Sequence, residues 1–182
     1  MIHFVITTAA IALFAGTPAE DGWSKMEKVL RGTETVVAYR AKITGDVLVI
    51  EVTHGDTWHT YAMDNPERAK TAEKRNALGQ ELPTEITVSG GAKAVGPWYQ
   101  TEPEDLSDPE IGWYTWGFSD TVYFATEIER VSDDPVEVSI SAQACSESSC
   151  RMVDALKLFP EAGDGKTPVT LDELVEVKAG GG

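Results

Sequence analysis

PVEVSISAQACSESSC, residues 135–150, opens with a clean alternation of apolar and polar side chains. Val136, Val138, Ile140, Ala142 and Ala144 recur at every second position, and Glu137, Ser139, Ser141 and Gln143 fill the positions between them. A period of two puts the first set on one face of an extended chain and the second on the other, the pattern of a strand with one face in a core. Cys145 continues the outward, polar face. Cys145 and Cys150 are the only two cysteines of the 182 residues. In an extended chain they would lie roughly 16 Å apart at about 3.3 Å per residue, whereas a disulfide holds Cα atoms at roughly 4.4–6.8 Å. If the pair is oxidised, the chain must therefore reverse within SESS, between two strands. Serine side chains suit such a turn because they hydrogen-bond to nearby backbone.

The same period runs through most of the chain after residue 34. TVVAYRAKI (35–43) places Val37, Tyr39, Ala41 and Ile43 on one face. VLVIEVTH (47–54) has β-branched residues on both faces, as a central strand does. Thr44-Gly45-Asp46 between them gives a hairpin with Gly45-Asp46 at its tip. TWHTYAM (57–63), TEITVS (84–89), DTVYFATEIERV (120–131) and PVTLDELVEV (168–177) are further strand candidates. NPERAKTAEKRNALGQ (65–80) breaks the pattern. It is rich in Ala, Lys, Glu and Arg, with Pro66 placed for the first helical position and Gly79 for the C-terminal end, and predicts a short surface helix inserted at 66–79. QTEPEDLSDPEIG (100–112) reads as a long acidic loop. About seven short strands with antiparallel patterning predict an all-β sandwich with a short helical insert. The expected organisation is a lead segment over 20–33, one domain over 34–178, and a disordered tail over 179–182.

The net charge of −15, from 30 acidic and 15 basic residues, excludes a nucleic-acid surface and disfavours docking on anionic lipid. It leaves solubility, or complementarity to a basic partner, as its use. FVITTAAIALF (4–14), followed by small residues and then Glu20-Asp21, has the length and flanks of a signal peptide ending near residue 19. No Lys or Arg precedes Lys25, so the usual basic n-region is missing. No other stretch is apolar for the roughly 20 residues a membrane span requires, so the expectation is an exported chain whose mature part does not insert in a membrane. Disulfides are chemically permitted in that compartment.

Three fates are open to the cysteine pair on composition. It is a structural disulfide, a redox pair, or part of a Cu(I) site with Met152 and His54 or His59. As a staple it is inefficient, because closing a six-residue loop contributes about 2 kcal/mol against about 4.7 kcal/mol for a hundred-residue loop. Arg151 beside Cys150 favours its thiolate, and Glu147 opposes it.

Five stretches in order then carry a resemblance. DTWHTYAMDNPE (56–67), ELPTEITVSGGAKAVGPWYQTEPE (81–104), GWYTWGFSDTVYFATEI (112–128), VEVSISAQACSESSCRMV (136–153) and TPVTLDELV (167–175) together resemble the N-terminal periplasmic domain family of the thiol:disulfide interchange protein DsbD. That domain is also found in related cytochrome-biogenesis and copper-tolerance reductases. The resemblance implies an immunoglobulin-like sandwich with a redox-active disulfide. It implies electron transfer from a thioredoxin-like or membrane electron-donor protein to exported disulfide-bearing clients, with no metal or organic cofactor. Carried onto this chain, Cys150 forms the intermolecular bond and Cys145 resolves it. Tyr114 and Trp116 in GWYTWG become the candidates for an aromatic cap over the sulfurs. His59 and Tyr61 take the positions where the family sets aromatic residues beside the cysteines, and Trp58 reads as packing. The chain departs from the family where CLPP is replaced by CRMV, and in its helical insert. The sequence holds neither a membrane electron-conducting domain nor a thioredoxin-like one, so the expected reductant is a separate protein. The competing function is a non-catalytic extracytoplasmic binding module, for a protein or Cu(I), with a structural disulfide.

Overall fold

Alternation at Val37, Tyr39, Ala41 and Ile43 becomes a buried face in the computed structural model, which describes residues 22–72, 81–163 and 166–178. The signal peptide read at 1–19, the far end of the helical insert and the tail at 179–182 lie outside the described residues. In chain order the elements are β1 (Glu27–Arg31), β2 (Glu34–Thr44), β3 (Val47–His54), β4 (His59–Tyr61), helix α1 (Asn65–Ala72), β5 (Glu85–Gly90) and β6 (Ala92–Gln100). There follow β7 (Glu104–Asp105), β8 (Trp116–Phe118), β9 (Thr121–Arg130), β10 (Val136–Cys145), β11 (Cys150–Leu158), β12 (Ala162–Gly163) and β13 (Val175–Glu176). One sheet runs β1-β2-β3-β9-β6-β13, with β12 added in parallel to β2. The other runs β11-β10-β4-β8-β7, with β5 also on β10. The fold is an immunoglobulin-like β-sandwich with a short helix between β4 and β5.

The β2–β3 hairpin forms as read. Thr44 faces Val47 across the two-residue tip, and Gly45 takes a positive φ of 58°, which costs a glycine nothing. Strand β3 is buried on both faces. Its inner face packs into the main core, which holds Tyr39, Trp58, Phe118 and Phe124 with the inward residues of β10. On its outer face Val49 joins Trp23 and Ala125 in a second small cluster, covered by Val169, Leu171 and Leu174.

Three features differ from the sequence reading. Residues 27–31, inside the span read as a lead, pair with β2 as β1. PVTLDELVEV is not one strand: Leu171–Glu173 form a 3-10 turn and only Val175–Glu176 pair, with β6. The backbone N–H and hydroxyl of Thr170 both donate to Glu173 Oε2 at 2.8 Å, which curls the segment at its start. Strands β6 and β11 hide from a period-two reading because each carries an irregularity. In β6 the ladder shifts between Ala94 and Trp98, around Gly96-Pro97. In β11 one extra residue lies opposite the Ile140–Ala142 step, and Ala155 there has a φ of 46°.

The strand that carries Cys145 is the middle of its sheet. β11 bonds to one edge of β10, while β5 and β4 lie end to end along the other, opposite Val136–Ser141 and Ala144–Cys145 respectively. Val136, Val138, Ile140, Ala142 and Ala144 are all buried, as the alternation requires. Truncating Ile140, which is fully buried, to alanine should lower unfolding stability by about 2–5 kcal/mol. Chemical denaturation of the oxidised protein, with an unchanged m-value, is the check.

Candidate functional site

The hairpin between β10 and β11 turns within SESS. Ser146 N–H donates to Ser149 C=O at 2.8 Å, so the next pair outward, Cys145 and Cys150, lies directly opposed without its own ladder bond. Their Cα atoms are 4.0 Å apart and the sulfurs are bonded at 2.06 Å. Beyond Cys150 the chain stays in the ladder: Arg151 faces Ala144 and Met152 faces Gln143. Val153 faces Ala142, and a proline pair at 152 and 153 would lack the N–H groups that a ladder uses.

The two cysteines differ in access. Cys150 is exposed, whereas Cys145 is only 4% exposed although it stands on the outward face of β10. Two elements cover it. On the far side from Cys150, β4 places His59 directly opposite Cys145, so Cys150, Cys145 and His59 form a row across three strands. Tyr61, two residues on, has its hydroxyl 3.1 Å from His59 Nε2, with the rings nearly perpendicular. Burial lowers the His59 pKa, so the imidazole is neutral at neutral pH. Burial, with the Glu81 charge second, pushes the Tyr61 phenol up and keeps it protonated.

The second cover is the acidic loop, which folds back over the cysteines and leaves an open cavity of about 550 Å³. The sheet supplies its floor with His59, Tyr61, Gln143, Cys145 and Cys150. The loop supplies a largely apolar wall with Leu106, Ile111, Trp113 and Thr115, and also Asp108. Glu81 and Ser146 complete the lining. The loop is pinned at its ends. Asp108 and Trp113 exchange backbone bonds of 2.7 and 2.9 Å, and Leu106 N–H donates to Thr115 C=O at 2.9 Å. Asn65, at the start of α1, accepts from Trp116 N–H at 2.8 Å and donates to the Thr115 hydroxyl at 3.1 Å. Gly117 lets β8 approach β4, because a Cβ there would sit 2.4 Å from Thr60 O.

Of the aromatic cap candidates, neither Tyr114 nor Trp116 is in the cavity wall; among the described residues of GWYTWG, Trp113 and Thr115 are. Phe118 is in the main core and Trp116 packs against it, so strand parity turns residues 113, 115 and 117 to the other side. Only with Phe118 placed in the core does this count favour Trp113. Glu81, Gln143 and Asn65 carried no such signal, since their roles come from long-range contacts. Trp58 is core packing, with its ring N–H donating to Glu34 at 2.7 Å.

His54 sits behind β4 as a brace. Its Nδ1–H donates to Asp120 C=O and its Nε2 accepts from the Thr60 hydroxyl, both at 2.8 Å, and burial lowers its pKa. With both His54 ring nitrogens engaged and the two sulfurs bonded to each other, three of the donors considered for Cu(I) are committed elsewhere. Met152 is 54% exposed on the edge strand. Among the described residues no group of three or more His, Cys, Asp or Glu converges for a metal ion.

Fold and site together define a sandwich domain with a two-cysteine centre, one cysteine open to solvent and the other sheltered. Residues 27–158 match the family model for the N-terminal part of the thiol:disulfide interchange protein DsbD, and the chain belongs to that family. Among solved structures, it is similar to the N-terminal periplasmic domain of ScsB from Proteus mirabilis, at a TM-score of 0.52 and 18% identity over 77% of this chain and 52% of that one. The chain thus spans about half the length of that structure. A second similar structure is the Neisseria meningitidis DsbD n-terminal domain in the reduced form, at a TM-score of 0.43 and 12% identity over 79% of this chain and 91% of that one. No curated protein sequence matches the chain.

Two outcomes are expected of this site. Asn65→Ala leaves the Trp116 N–H without its acceptor, and should cost about 1–3 kcal/mol and speed amide exchange at Trp116 in hydrogen-exchange measurements. His54 and His59 both titrate below the ordinary value of 6.5 when folded, so the unfolded chain takes up protons first on acidification. Their contribution to stability is whole above about 6.5 and is lost as pH falls toward the folded values. Thermal melts should show this decline, with a shallower slope for His59→Gln.

Proposed function

We propose that this domain is an extracytoplasmic thiol–disulfide exchange protein that passes electrons through Cys145 and Cys150, between a thioredoxin-like or membrane donor and exported clients. The observation that carries the proposal is the unequal access of the pair at the mouth of an open cavity: Cys150 is exposed and Cys145 is covered. A disulfide that served only as a turn clamp would contribute about 2 kcal/mol to a hairpin that the ladder already closes. Membership of the interchange family supports the same chemistry. The apolar leader and the periplasmic setting of the ScsB domain support the location.

In the reduced protein the Cys150 thiolate attacks a client disulfide. A Cys150–client bond forms and the client's second sulfur leaves as a thiolate. Cys145 then attacks the Cys150 sulfur, the 145–150 disulfide closes, and the client's first sulfur leaves as a thiolate. The client gains two electrons and the pair loses them; a donor dithiol restores the pair by the same steps in reverse. His59 and Tyr61 flank the inner sulfur. The covering role expected of Tyr114 and Trp116 falls in this reading to Trp113, with Leu106 and Ile111 completing an apolar surface for the partner segment around its cysteine.

Trapping tests this directly. Cys145→Ser should hold mixed disulfides with a thioredoxin-like donor and with clients from an extracytoplasmic extract, and Cys150→Ser should hold far fewer. The reduction potential should lie above about −300 mV, the upper limit for structural disulfides. A lower potential with no trapped partner would establish a binding module with a structural disulfide instead.

A further inference from the structure

Glu81 lines the disulfide cavity, is only 7% exposed, and has a carboxylate oxygen, Oε2, with no hydrogen-bond partner among the described residues. The segment that carries it is tied down. Leu82 N–H donates to Gln143 Oε1 at 2.9 Å, and the Thr84 hydroxyl donates to Tyr61 C=O at 2.7 Å, which fixes the segment to β10 and β4. A buried acceptor without a donor is costly, and natural proteins keep few of them. In the oxidised protein the neighbouring sulfurs bear no proton to offer it. Reduction changes that, because Cys145 then brings an ionisable thiol into the same cavity.

We propose that Glu81 and Cys145 share a single proton in the reduced protein, and that Glu81 takes it when Cys145 closes the disulfide. The inference rests on the exchange reading for its purpose. When a partner thiolate attacks Cys150, the 145–150 bond breaks and the Cys145 sulfur leaves with the electron pair. A thiolate and a carboxylate that line one cavity, both little exposed, repel each other, so one proton is drawn from solvent and held between them. In the return step the proton passes from Cys145 Sγ to Glu81 Oε2. The freed sulfur pair forms the bond to Cys150, and the partner sulfur leaves as a thiolate.

The other titratable groups facing the cavity are less free to do this. His59 Nε2 is bonded to the Tyr61 hydroxyl, the Tyr61 phenol stays protonated, and Asp108, which is exposed, already accepts from Glu110 N–H at 3.1 Å. Arg151 and Glu147 are exposed and are not among the residues that line the cavity.

The measurement is the thiolate ultraviolet absorbance of reduced Cys150→Ser protein as a function of pH, where Cys145 is the only thiol. Glu81→Gln, which keeps the shape and removes the charge, should lower the Cys145 midpoint by about one unit or more. Glu81→Asp should keep the midpoint near that of the parent. A midpoint unmoved by Glu81→Gln, or moved equally by both substitutions, overturns the shared proton. That result would leave partner trapping by Cys145→Ser intact, whereas failed trapping with a shifted midpoint would overturn the exchange reading alone.

Discussion

The register of β10 is the constraint on which the rest of the molecule depends. Its inward residues fill the core between the sheets, and its outward face ends at Cys145. A slip of one residue would turn Val138 and Ile140 to the outside and Cys145 into the core. Three neighbours resist that slip. β11 and β5 pair along most of its length, and β4 pairs with its last two residues. The strand that gives the sandwich its centre is thereby also the one that fixes the cysteine.

The cover over that cysteine is built from a different set of forces. Polar side chains with low exposure do the joining: Asn65 links α1 to the strand after the acidic loop, and His54 links β4 to Asp120 before β9. Asp64 accepts from Arg68 at 2.8 Å, Gln100 at 2.6 Å and the Lys178 backbone at 3.2 Å, which gathers α1, β6 and the C-terminal segment at one point. Buried polar groups satisfied in this way specify one arrangement more sharply than apolar contact does. The wall that faces the sulfurs is in contrast apolar and partly open, with Ile111 55% exposed.

The strands legible in the sequence were those whose period was unbroken. β2, β3, β9 and β10 have continuous alternation or continuous β-branched runs, and the physics that writes the pattern is the burial of one face or both. β6 and β11 each lose the period at an irregularity, and β7, β8 and β12, of two or three residues each, hold too few residues to show one. At the site, the cysteines, the turn between them and the placement of His59 and Tyr61 beside them could be read from types, spacing and family resemblance. The wall could not. Whether Trp113 or Trp116 turns toward the sulfurs depends on a parity set by Phe118, and Glu81 enters only because the chain after α1 returns to pair beside β4.

The Ser146–Ser149 bond has a consequence for the reduced state. The reversal between β10 and β11 is held by backbone bonds and by side chains in the core, none of which requires the sulfur–sulfur link. When that link opens, the two thiols remain on facing positions of the same ladder. Each is then present to the other at an effective concentration far above that of any thiol in solution, because the translational and rotational freedom that a separate molecule would lose has already been given up in folding. Closing the ring is thus a local, unimolecular event, and the second thiol is already in place when the ring closes.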